Sequence, residues 1–407
     1  MIPRTVRVLL VLLAGLVVIW VAPTAAETEV GEDIGVASAE EARRRDAAAY
    51  AEGRGITVDE ALRRFDVVPS LASAVQAAEI AAPGRFAGGW VEHDPELAVF
   101  VRFTGSEAGL EQATQALAGL AAPVHIEYGA PHTYTELRAG QHRITPTIHR
   151  DHPRMGLFVD VRTGSVMLLG PDPIATAELE ALSRLAGVPV ASQLSPPFQN
   201  VHTYGGKNID AVEGCTTGFS VRDAISGETG VMTAGHCAGN NGSVATYYQD
   251  AATSYPMSQR GKRDDANQDF AWYAESFHYE YNRVWDGLYL REITSTKPRL
   301  EMVGGTVCHF GRGSGLSCGV VDDIHFDPGM GCNGPCDDVW VLIWDDPGLK
   351  CWFGDSGGPF FQGNTAWGTA KSSQLGSNPD DCGSMVFMSV GALNWDGVNT
   401  RLLLTPP

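Results

Sequence analysis

The apolar and polar positions of the first half of the chain follow the spacing of helices and strands in a mixed α/β domain. Residues 39–65 are rich in Ala, Glu and Arg and predict helix that is interrupted near Gly53 and Gly55. A new helix can start in the segment VDEALRRF, residues 58–65, because two acidic residues would stand in its first turn. Two strand-like runs and one further helix are predicted beyond it, at residues 97–103, 156–166 and 175–185.

The second half shows short apolar runs separated by turns. Strand-like runs lie, for example, at residues 219–222, 340–344 and 386–390. Glycine numbers 17 in the first 200 residues and 30 in the last 207, and all eight cysteines lie between Cys215 and Cys382. Glycine permits tight turns and paired cysteines cross-link them. This half therefore predicts an all-β domain with many turns.

The N-terminus has the pattern of a secretory signal peptide. Arg4 and Arg7 precede an uncharged apolar run over residues 8–22, and small residues up to Ala26 precede Glu27. The alternative is a membrane anchor, but the run is shorter than the roughly 20 apolar residues that a spanning helix needs. We predict cleavage after Ala26 and a secreted, extracellular protein that leaves the membrane after cleavage. Export agrees with an even number of cysteines, because disulfides persist outside the cell.

The change in pattern places a domain boundary inside residues 192–207. Pro196, Pro197, Gly205 and Gly206 break any regular element there. The chain thus divides into a signal peptide (1–26), an N-terminal domain (27–197) and a C-terminal domain (198–407).

Composition and charge exclude several classes of protein. Of the 407 residues, 44% are hydrophobic and 19% are charged, which excludes an intrinsically disordered or collagen-like chain. The net charge of −19 leaves no basic face of the kind that binds nucleic acid, so we expect no nucleic-acid partner.

Five of the eleven histidines fall in one short stretch of the N-terminal domain: His125, His132, His142, His149 and His152. We interpret the stretch as a solvated loop region. The alternative is a pH-sensitive contact, because histidine titrates near neutral pH. This domain carries no nucleophile motif and no metal-ligand spacing.

Two short motifs in the C-terminal domain carry a candidate chemistry. Residues 231–237 read VMTAGHC and residues 354–359 read GDSGGP. A serine hydroxyl is a poor nucleophile and needs an adjacent base, which His236 can provide for Ser356. Gly354 and Ser356 can offer backbone N–H groups from one turn to the oxyanion that forms when a carbonyl is attacked. The neighbouring glycines leave room for a substrate to approach.

A carboxylate must then hold the imidazole in one tautomer. The best candidate is Asp269, which opens a strand-like run in NQDFAWYA between the two motifs. Asp264 and Asp265 compete for this role, but they belong to the charged segment GKRDD, which is typical of an exposed loop.

The order His, Asp, Ser with TAGHC and GDSGGP resembles that of the chymotrypsin-like serine proteases. Within them the chain is most similar to the secreted bacterial branch of streptogrisins and alpha-lytic protease, through Cys215, Gly218 and Phe219 before the histidine motif and VCHFGRGSGLSCG at residues 307–319. GGWVEHDPELAVFVRFTG (88–105) and VDVRTGSV (159–166) look like the pro-region of that branch.

The resemblance implies a fold and an activity. The fold would be two six-stranded antiparallel β-barrels with the active site between them. An α/β pro-domain (27–197) would precede them, help the protease domain to fold and inhibit it until cleavage. Closed barrels remove exposed strand edges. The activity would be that of a secreted serine endopeptidase made as a zymogen, acting through an acyl-enzyme on protein and peptide substrates. The resemblance implies no cofactor and no metal. It also implies that the mature domain is a monomer, and that besides its substrates it binds its own pro-region, in cis or in trans.

The resemblance also implies disulfides. It selects the pairs Cys215–Cys237, Cys308–Cys318 and Cys351–Cys382 out of 105 possible pairings. Cys332 and Cys336 are then left to pair across GCNGPC. The competing interpretation of these two is a zinc site with His325, which lacks a fourth ligand.

The sequence departs from the family pattern at two places. In the bacterial branch the aspartate before the catalytic serine is buried against an arginine, but the matching position here is His309, and Arg312 lies three residues on. A buried carboxylate needs a partner, so we expect Asp355 to pair with Arg312 or with protonated His309.

The second departure is in the specificity segment. Family members often have Ser-Gly-Gly where this chain has Ala370, Lys371, Ser372 and Ser373. Lys371 would either favour acidic substrate side chains or point to solvent.

Further expectations concern processing and alternatives. Tyr204-Gly205-Gly206 looks like the start of the mature chain, with the cut anywhere from about 197 to 204, and Asn241-Gly242-Ser243 fits a glycosylation sequon. The main alternative function is a catalytically altered binding or regulatory protein on the same fold. An esterase or lipase is disfavoured, because its histidine would come last in the chain.

Overall fold

The first N-terminal helix begins and ends where the sequence supplies caps. The computed structural model describes residues 35–196, 199–200, 207–210, 214–239, 243–249, 253–274, 280–394 and 399–404. Strand β1 (Val36–Ala37) precedes helix α1 (Ala39–Arg54), which starts at Ser38 in a capping box with Glu41. Gly55 ends α1 with φ 63°, a left-handed conformation that favours glycine, so the predicted interruption is confirmed. The predicted signal peptide, residues 201–206 and the sequon residues Asn241 and Gly242 lie outside the described residues.

The rest of the N-terminal part alternates helices and strands. Helix α2 (Val58–Ala81) starts at the predicted residue and continues well past residue 65. The remaining elements are β2 (Phe86–Glu92), β3 (Ala98–Thr104), α3 (Glu111–Ala116), β4 (Val124–Ala130), α4 (Tyr134–Asp151), β5 (Gly156–Asp160), β6 (Ser165–Gly170), α5 (Thr176–Ala186) and β7 (Val190–Leu194). Strand β8 (Gln199–Asn200) follows, just beyond the predicted boundary at residue 197. Two three-stranded sheets result, β2-β3-β4 and β5-β6-β7, each with one antiparallel and one parallel pair. The α/β prediction is confirmed.

Two details of the prediction for this part are wrong. The run over residues 156–166 is a hairpin, because the carboxylate of Asp160 accepts hydrogen bonds from Arg162 N and Thr163 Oγ1 and so stabilises a turn. The histidine stretch is not a solvated loop: His142 and His149 lie on helix α4, where they contact Asp338 Oδ2 at 2.6 Å and Asp327 Oδ2 at 2.9 Å. The pH-sensitive contact stays a prediction.

The C-terminal part is built almost entirely of strands. They are β9 (Asn208–Asp210), β10 (Gly214–Thr216), β11 (Ser220–Asp223), β12 (Thr229–Thr233), β13 (Val244–Tyr248), β14 (Ser254–Asp264), β15 (Asp269–Ala274), β16 (Arg283–Trp285), β17 (Leu290–Glu292), β18 (Ser295–Thr296), β19 (Thr306–Gly311), β20 (Gly315–Val320), β21 (Asp323–Phe326), β22 (Trp340–Trp344), β23 (Pro359–Gln362), β24 (Thr365–Leu375), β25 (Cys382–Ser389) and β26 (Thr400–Leu402). The predicted runs at 219–222, 340–344 and 386–390 correspond to β11, β22 and β25.

These strands form two curled antiparallel sheets, as the chymotrypsin-like fold requires. The first has the order β10-β9-β13-β14-β15-β12-β11-β26 and the second β20-β19-β23-β24-β25-β22-β21. Strands β8 and β18 also pair with β24, and β16 and β17 form a small sheet with β1. Each sheet exceeds the predicted six strands because short segments pair with it, among them β26 on β11.

Each sheet has its own apolar core. Ile209, Met257, Ala271 and Tyr273 lie in the core of the first sheet, while Val307, Val341, Phe360 and Phe387 lie in that of the second. Burial of these side chains holds each sheet curled around its core.

Four disulfides cross-link the strands and turns: Cys215–Cys237, Cys308–Cys318, Cys332–Cys336 and Cys351–Cys382. These are the pairs that the sequence analysis expected. The zinc interpretation of Cys332 and Cys336 is wrong, because the two sulfurs are bonded to each other. Among the helices that the structure describes, none combines the length and apolar character needed to cross a membrane.

Candidate active site

His236 and Asp269 meet because they lie near the ends of two adjacent strands. Strand β12 pairs antiparallel with β15, with Thr233 opposite Ala271. The turn after β12 therefore brings His236 over Asp269, the first residue of β15. His236 Nδ1 lies 2.7 Å from Asp269 Oδ2, and the backbone N–H of His236 donates to Oδ1 at 2.9 Å. Two contacts to one carboxylate fix both the position and the orientation of the imidazole.

Ser356 approaches the same imidazole from the other side of the ring. Its Oγ lies 2.8 Å from His236 Nε2. Ser356 belongs to a turn before β23 and is buried, and the imidazole of His236 is largely buried. The structure thus brings together the three side chains at 236, 269 and 356, which are far apart in the chain.

The turn around Ser356 is tied to both sheets by backbone hydrogen bonds. The N–H of Thr216 in the first sheet donates to Ser356 O at 2.8 Å, and its hydroxyl donates to Gly354 O at 2.6 Å. The N–H of Gly357 donates to Ala370 O of β24 at 2.8 Å. Gly354 and Gly357 adopt φ values of 104° and 79°, which favour glycine.

Gly357 is also limited by space. A Cβ at this position would lie 2.2 Å from Thr233 Oγ1 and 2.5 Å from Ala234 N. Only glycine therefore allows the nucleophile turn to pack against the end of β12.

Asp269 is fully buried and still ionised. Burial opposes ionisation, but the charges of His236 and Lys371 and the hydrogen bonds from His236 outweigh it and hold the pKa of Asp269 well below its usual range. Burial and the charge of Asp269 raise the pKa of Asp264. The interpretation of GKRDD as an exposed loop is wrong, because its first four residues end strand β14. Asp264 pairs with Asp269 across β14 and β15, and Asp265, in the turn that follows, accepts hydrogen bonds from the N–H groups of Asn267 and Gln268.

The buried Asp355 is held by hydrogen bonds from its own neighbourhood. It accepts from Ser314 Oγ at 2.7 Å, Trp352 N at 2.8 Å, Gly313 N at 3.0 Å and Ser314 N at 3.3 Å. Burial raises the pKa of Asp355, and these donors and His309 oppose that rise. Backbone N–H groups and a hydroxyl replace the charged partner that the sequence analysis expected.

The expected role of His309 is wrong. Its Nε2 lies 2.6 Å from Lys350 O, so this nitrogen donates to a carbonyl. Complete burial lowers the pKa of His309, although the charge of Asp355 opposes this, and the ring is therefore neutral at neutral pH. The side chain of Arg312 is not among the four donors to Asp355.

The specificity segment lies in the middle of β24, with all four residues buried. Lys371 does not point to solvent, and its effect on substrate choice stays a prediction. Its Nζ lies 3.3 Å from Asp269 Oδ2, so its charge faces the acid behind the imidazole rather than solvent. The backbones of Ser372 and Ser373 pair antiparallel with Asn200 and Gln199 of β8.

Sequence reasoning missed the contact of Lys371 with Asp269, and it missed Ser314 as a member of the site. Strand alternation could have placed Lys371 on the buried face of β24, but no pattern indicates which buried group it would meet. Ser314 lies in the short loop between β19 and β20, whose closeness to Asp355 depends on the tertiary fold.

One further cluster meets the distance criterion for metal ligands. Atoms of Cys215, His236 and Cys237 lie within 4.8 Å of one another. The two sulfurs form a disulfide and are not thiolates, so they are not metal ligands.

Comparison with known proteins gives the family. No protein-family model matches the sequence. The chain is 35% identical to Serine protease 2 of Streptomyces fradiae over 173 residues, which cover 40% of this chain and 90% of that protein. It is 24% identical to streptogrisin-C of Streptomyces griseus over 243 residues, 58% of this chain, and spans 49% of the length of that relative. Among solved structures, the Nocardiopsis protease NAPase is 22% identical with a TM-score of 0.39, covering 50% of this chain and 97% of its own. The similarity to Serine protease 2, over nearly its whole length, shows that this chain belongs to the chymotrypsin-like serine proteases of bacteria.

Proposed function

We propose that the chain is a serine endopeptidase, exported as a pre-pro-protein, with His236, Asp269 and Ser356 as its catalytic triad. The observation that carries this proposal is the line of contacts from Asp269 Oδ2 through both nitrogens of His236 to Ser356 Oγ, at 2.7 and 2.8 Å. Because Asp269 is ionised, His236 Nδ1 donates to it, and Nε2 is the nitrogen left to accept the serine proton.

The first half of the reaction forms the acyl-enzyme. Ser356 Oγ attacks the carbonyl carbon of the peptide bond while His236 Nε2 takes the hydroxyl proton. The carbonyl electron pair moves to oxygen, and the imidazolium is stabilised by Asp269. When the tetrahedral intermediate collapses, the C–N bond breaks, His236 gives its proton to the leaving amine, and Ser356 is left as an ester.

The second half releases the acid. A water molecule loses a proton to His236 Nε2 and attacks the ester carbon. The bond to Ser356 Oγ then breaks, and Oγ recovers the proton from His236. In both halves the oxyanion would be bound by the N–H groups of Gly354 and Ser356, a contribution that is typically worth several kcal/mol in such enzymes.

Strand β24 is the expected binding edge for an extended substrate. Lys371 O accepts a long hydrogen bond from Ser356 Oγ at 3.5 Å, so this strand runs beside the nucleophile. Peptides commonly add to such an edge by antiparallel pairing. Strand β8 pairs with Ser372 and Ser373 of this edge, and Gln374 donates to Ser195 Oγ at 2.6 Å. These contacts support a pro-region that covers the cleft until it is cut.

The same pairing refines the expected processing site. A cut at residue 197 would leave Gln199 and Asn200 on the mature chain, against the edge that a substrate needs. A cut on the C-terminal side of Asn200 would release them. Under this proposal the range of 197–204 narrows to 201–204.

Ion pairs between the N-terminal and C-terminal parts support a pro-region with a role in folding. Asp46 of α1 contacts the fully buried Arg291 at 2.8 Å, and Arg54 pairs with Asp346. Buried pairs of this kind cost desolvation and are retained only in a well-defined arrangement. An interface that orders strand β17 and the loop after β22 would lower the barrier to forming a kinetically stable protease.

The catalytic proposal is tested with a fluorophosphonate probe on the secreted protein. We expect covalent label on Ser356, lost in Ser356→Ala and in His236→Ala. The matched control is Ser226→Ala, which changes an exposed serine and should keep the label. A folded wild-type protein that takes no label would overturn the proposal and favour a binding or regulatory protein on the same fold.

Processing and substrate choice are tested by mass spectrometry. We expect a precursor N-terminus at Glu27, a mature N-terminus between residues 201 and 204, and cleavage of a peptide library. A chain that carries the signal peptide but lacks residues 27–197 should yield far less active protein. Equal yields with and without these residues would remove the folding role.

A further inference from the structure

Lys371 is a charged side chain enclosed beside the candidate triad. Its side chain is 1% exposed. Its Nζ lies 3.3 Å from Asp269 Oδ2 and 4.7 Å from the centre of the Trp340 ring. A buried ammonium group is costly unless an anion or an aromatic face compensates it, and here both are present.

The position of this charge argues against a role in substrate selection. Asp269 contacts Nδ1 of the imidazole, whereas Ser356 lies at Nε2, on the opposite side of the ring. The ammonium of Lys371 therefore lies beside Asp269, across the imidazole from Ser356, where the substrate would react. The backbone of Lys371 faces the nucleophile through its carbonyl oxygen, so one residue contacts both ends of the triad.

We propose that Lys371 is a positioning residue that keeps the Asp269 carboxylate ionised and fixed behind His236, and so extends activity to lower pH. This inference rests on the proposed function. It adds to the site a side chain that acts through Asp269 and touches no substrate.

The direction of the pH effect follows from charge. His236 Nδ1 and Lys371 Nζ contact the same oxygen at 2.7 and 3.3 Å, so they lie within about 6 Å of each other. An ammonium at this distance repels a protonated imidazole, whereas the Asp269 carboxylate attracts one. A variant without this ammonium lacks the repulsion, so we expect it to need a higher pH for activity.

The other charged groups around this cluster oppose Lys371 or lie further out. Among the described residues, Asp264 interacts with Asp269, His236 and Lys371, and Lys262 interacts with Asp264. The negative charge of Asp264 acts on His236 in the opposite direction to Lys371, and the positive charge of Lys262 partly cancels the effect of Asp264. Neither of them contacts the Asp269 carboxylate as Lys371 does.

The kinetic experiment compares Lys371→Met with Lys371→Arg. Methionine keeps an unbranched side chain without charge, and arginine keeps the charge. We expect the acidic limb of kcat/KM in Lys371→Met to move about one unit to higher pH, and that of Lys371→Arg to stay in place. Rates are divided by the fraction of molecules that the fluorophosphonate labels, so misfolded protein is not counted.

Two outcomes of the kinetic experiment would overturn the inference. One is a limb that stays in place in Lys371→Met or moves equally in both variants. The other is a change in the ratio of kcat/KM between peptides with acidic and neutral side chains before the cleaved bond, with the limb in place. That second result would make Lys371 a specificity residue.

A measurement without activity separates this inference from the proposed function. The ring protons of His236 are followed by NMR in the Ser356→Ala protein, with and without Lys371→Met, and assigned by their loss in His236→Asn. We expect the titration midpoint to rise by about one pH unit in Lys371→Met. An unmoved midpoint would overturn the role of Lys371, whereas failure of the wild type to take the probe would overturn only the proposed catalysis.

Discussion

His236 donates to the carboxylate of Asp269 through both its backbone N–H and its ring, at 2.9 and 2.7 Å. The backbone contact holds the turn after β12 against the start of β15, and the ring contact selects the tautomer. The pair therefore links β12 to β15 in the first sheet and is also part of the candidate triad.

Replacing Asp269 with asparagine tests this pair. An amide in place of Oδ2 can donate to Nδ1, which would leave the proton on Nε2, where it blocks proton transfer from Ser356. We expect kcat/KM to fall by about 10⁴-fold with little change in KM, measured on peptide substrates. Asp264→Asn, on the adjacent strand, is the matched control and should change kcat/KM far less. Equal losses in the two variants would contradict the assignment of Asp269.

The sequence predicted the convergence of His236, Asp269 and Ser356 better than it predicted their surroundings. His236 and Ser356 lie in motifs that leave few alternatives, and Asp269 was favoured over Asp264 because it opens an apolar run that became β15. These choices needed only local sequence. The α/β and all-β halves were likewise visible in the spacing of apolar residues and the distribution of glycine and cysteine.

The errors concern contacts that only the tertiary fold creates. His309 was assigned a charged role by its position in the chain, but it is fully buried against Lys350 O and Phe360, and that environment keeps the ring neutral. Lys371 was expected at a pocket or in solvent, because nothing in the sequence indicates that Asp269 lies beneath it. Helix α4 was missed because histidine-rich sequence was interpreted as polar loop.

Gly357 offers a prediction with a close control. Gly357→Ala places a Cβ 2.2 Å from Thr233 Oγ1, so the nucleophile turn must move away from β12. We expect loss of fluorophosphonate labelling and of peptide cleavage. Gly363→Ala also introduces a side chain at positive φ, 54°, but into open space. It should cost about 1–2 kcal/mol of stability and keep activity.

If both glycine variants lost activity equally, the loss in Gly357→Ala would come from backbone conformation alone and not from the contact with Thr233. A result in which Gly357→Ala remains fully active would show that the turn does not need its contact with Thr233.

Two of the disulfides allow a prediction in which the removal of one is the control for the removal of the other. Cys215–Cys237 closes a loop with a sequence separation of 22 and ends directly beside His236, whereas Cys332–Cys336 closes one of 4. In the chain-entropy model, replacing both cysteines by alanine should cost about 3 kcal/mol for the long loop and about 2 kcal/mol for the short one. Denaturant unfolding measures both values.

The long-loop variant should also lose activity at temperatures where it remains folded, because Cys237 anchors the turn that carries His236. The short-loop variant should keep its kcat/KM. The reverse order of effects on activity would contradict this account.

The environment of Asp322 leads to a prediction of how the stability of the precursor depends on pH. It lies in the interface between the two parts of the chain, where Arg162 donates to Oδ1 at 3.2 Å and Trp344 N donates to Oδ2 at 2.8 Å. Burial raises the pKa of Asp322 to about 7, against the opposing effects of Arg162 and Trp344. In the unfolded chain an aspartate has a pKa of about 3.9.

The sign of the effect follows from these two values. Between about pH 4 and 7 the folded precursor holds a proton on Asp322 that the unfolded chain has lost, so the free energy of unfolding decreases as pH rises through this window. One such proton accounts for a slope of up to about 1.4 kcal/mol per pH unit. The slope is measured by urea unfolding of the Ser356→Ala precursor, which cannot cut itself. In Asp322→Asn we expect a flatter dependence of the free energy of unfolding on pH. The control Asp66→Asn, at an exposed carboxylate, should keep the slope. Parallel curves for all three proteins would show that Asp322 stays ionised in its interface.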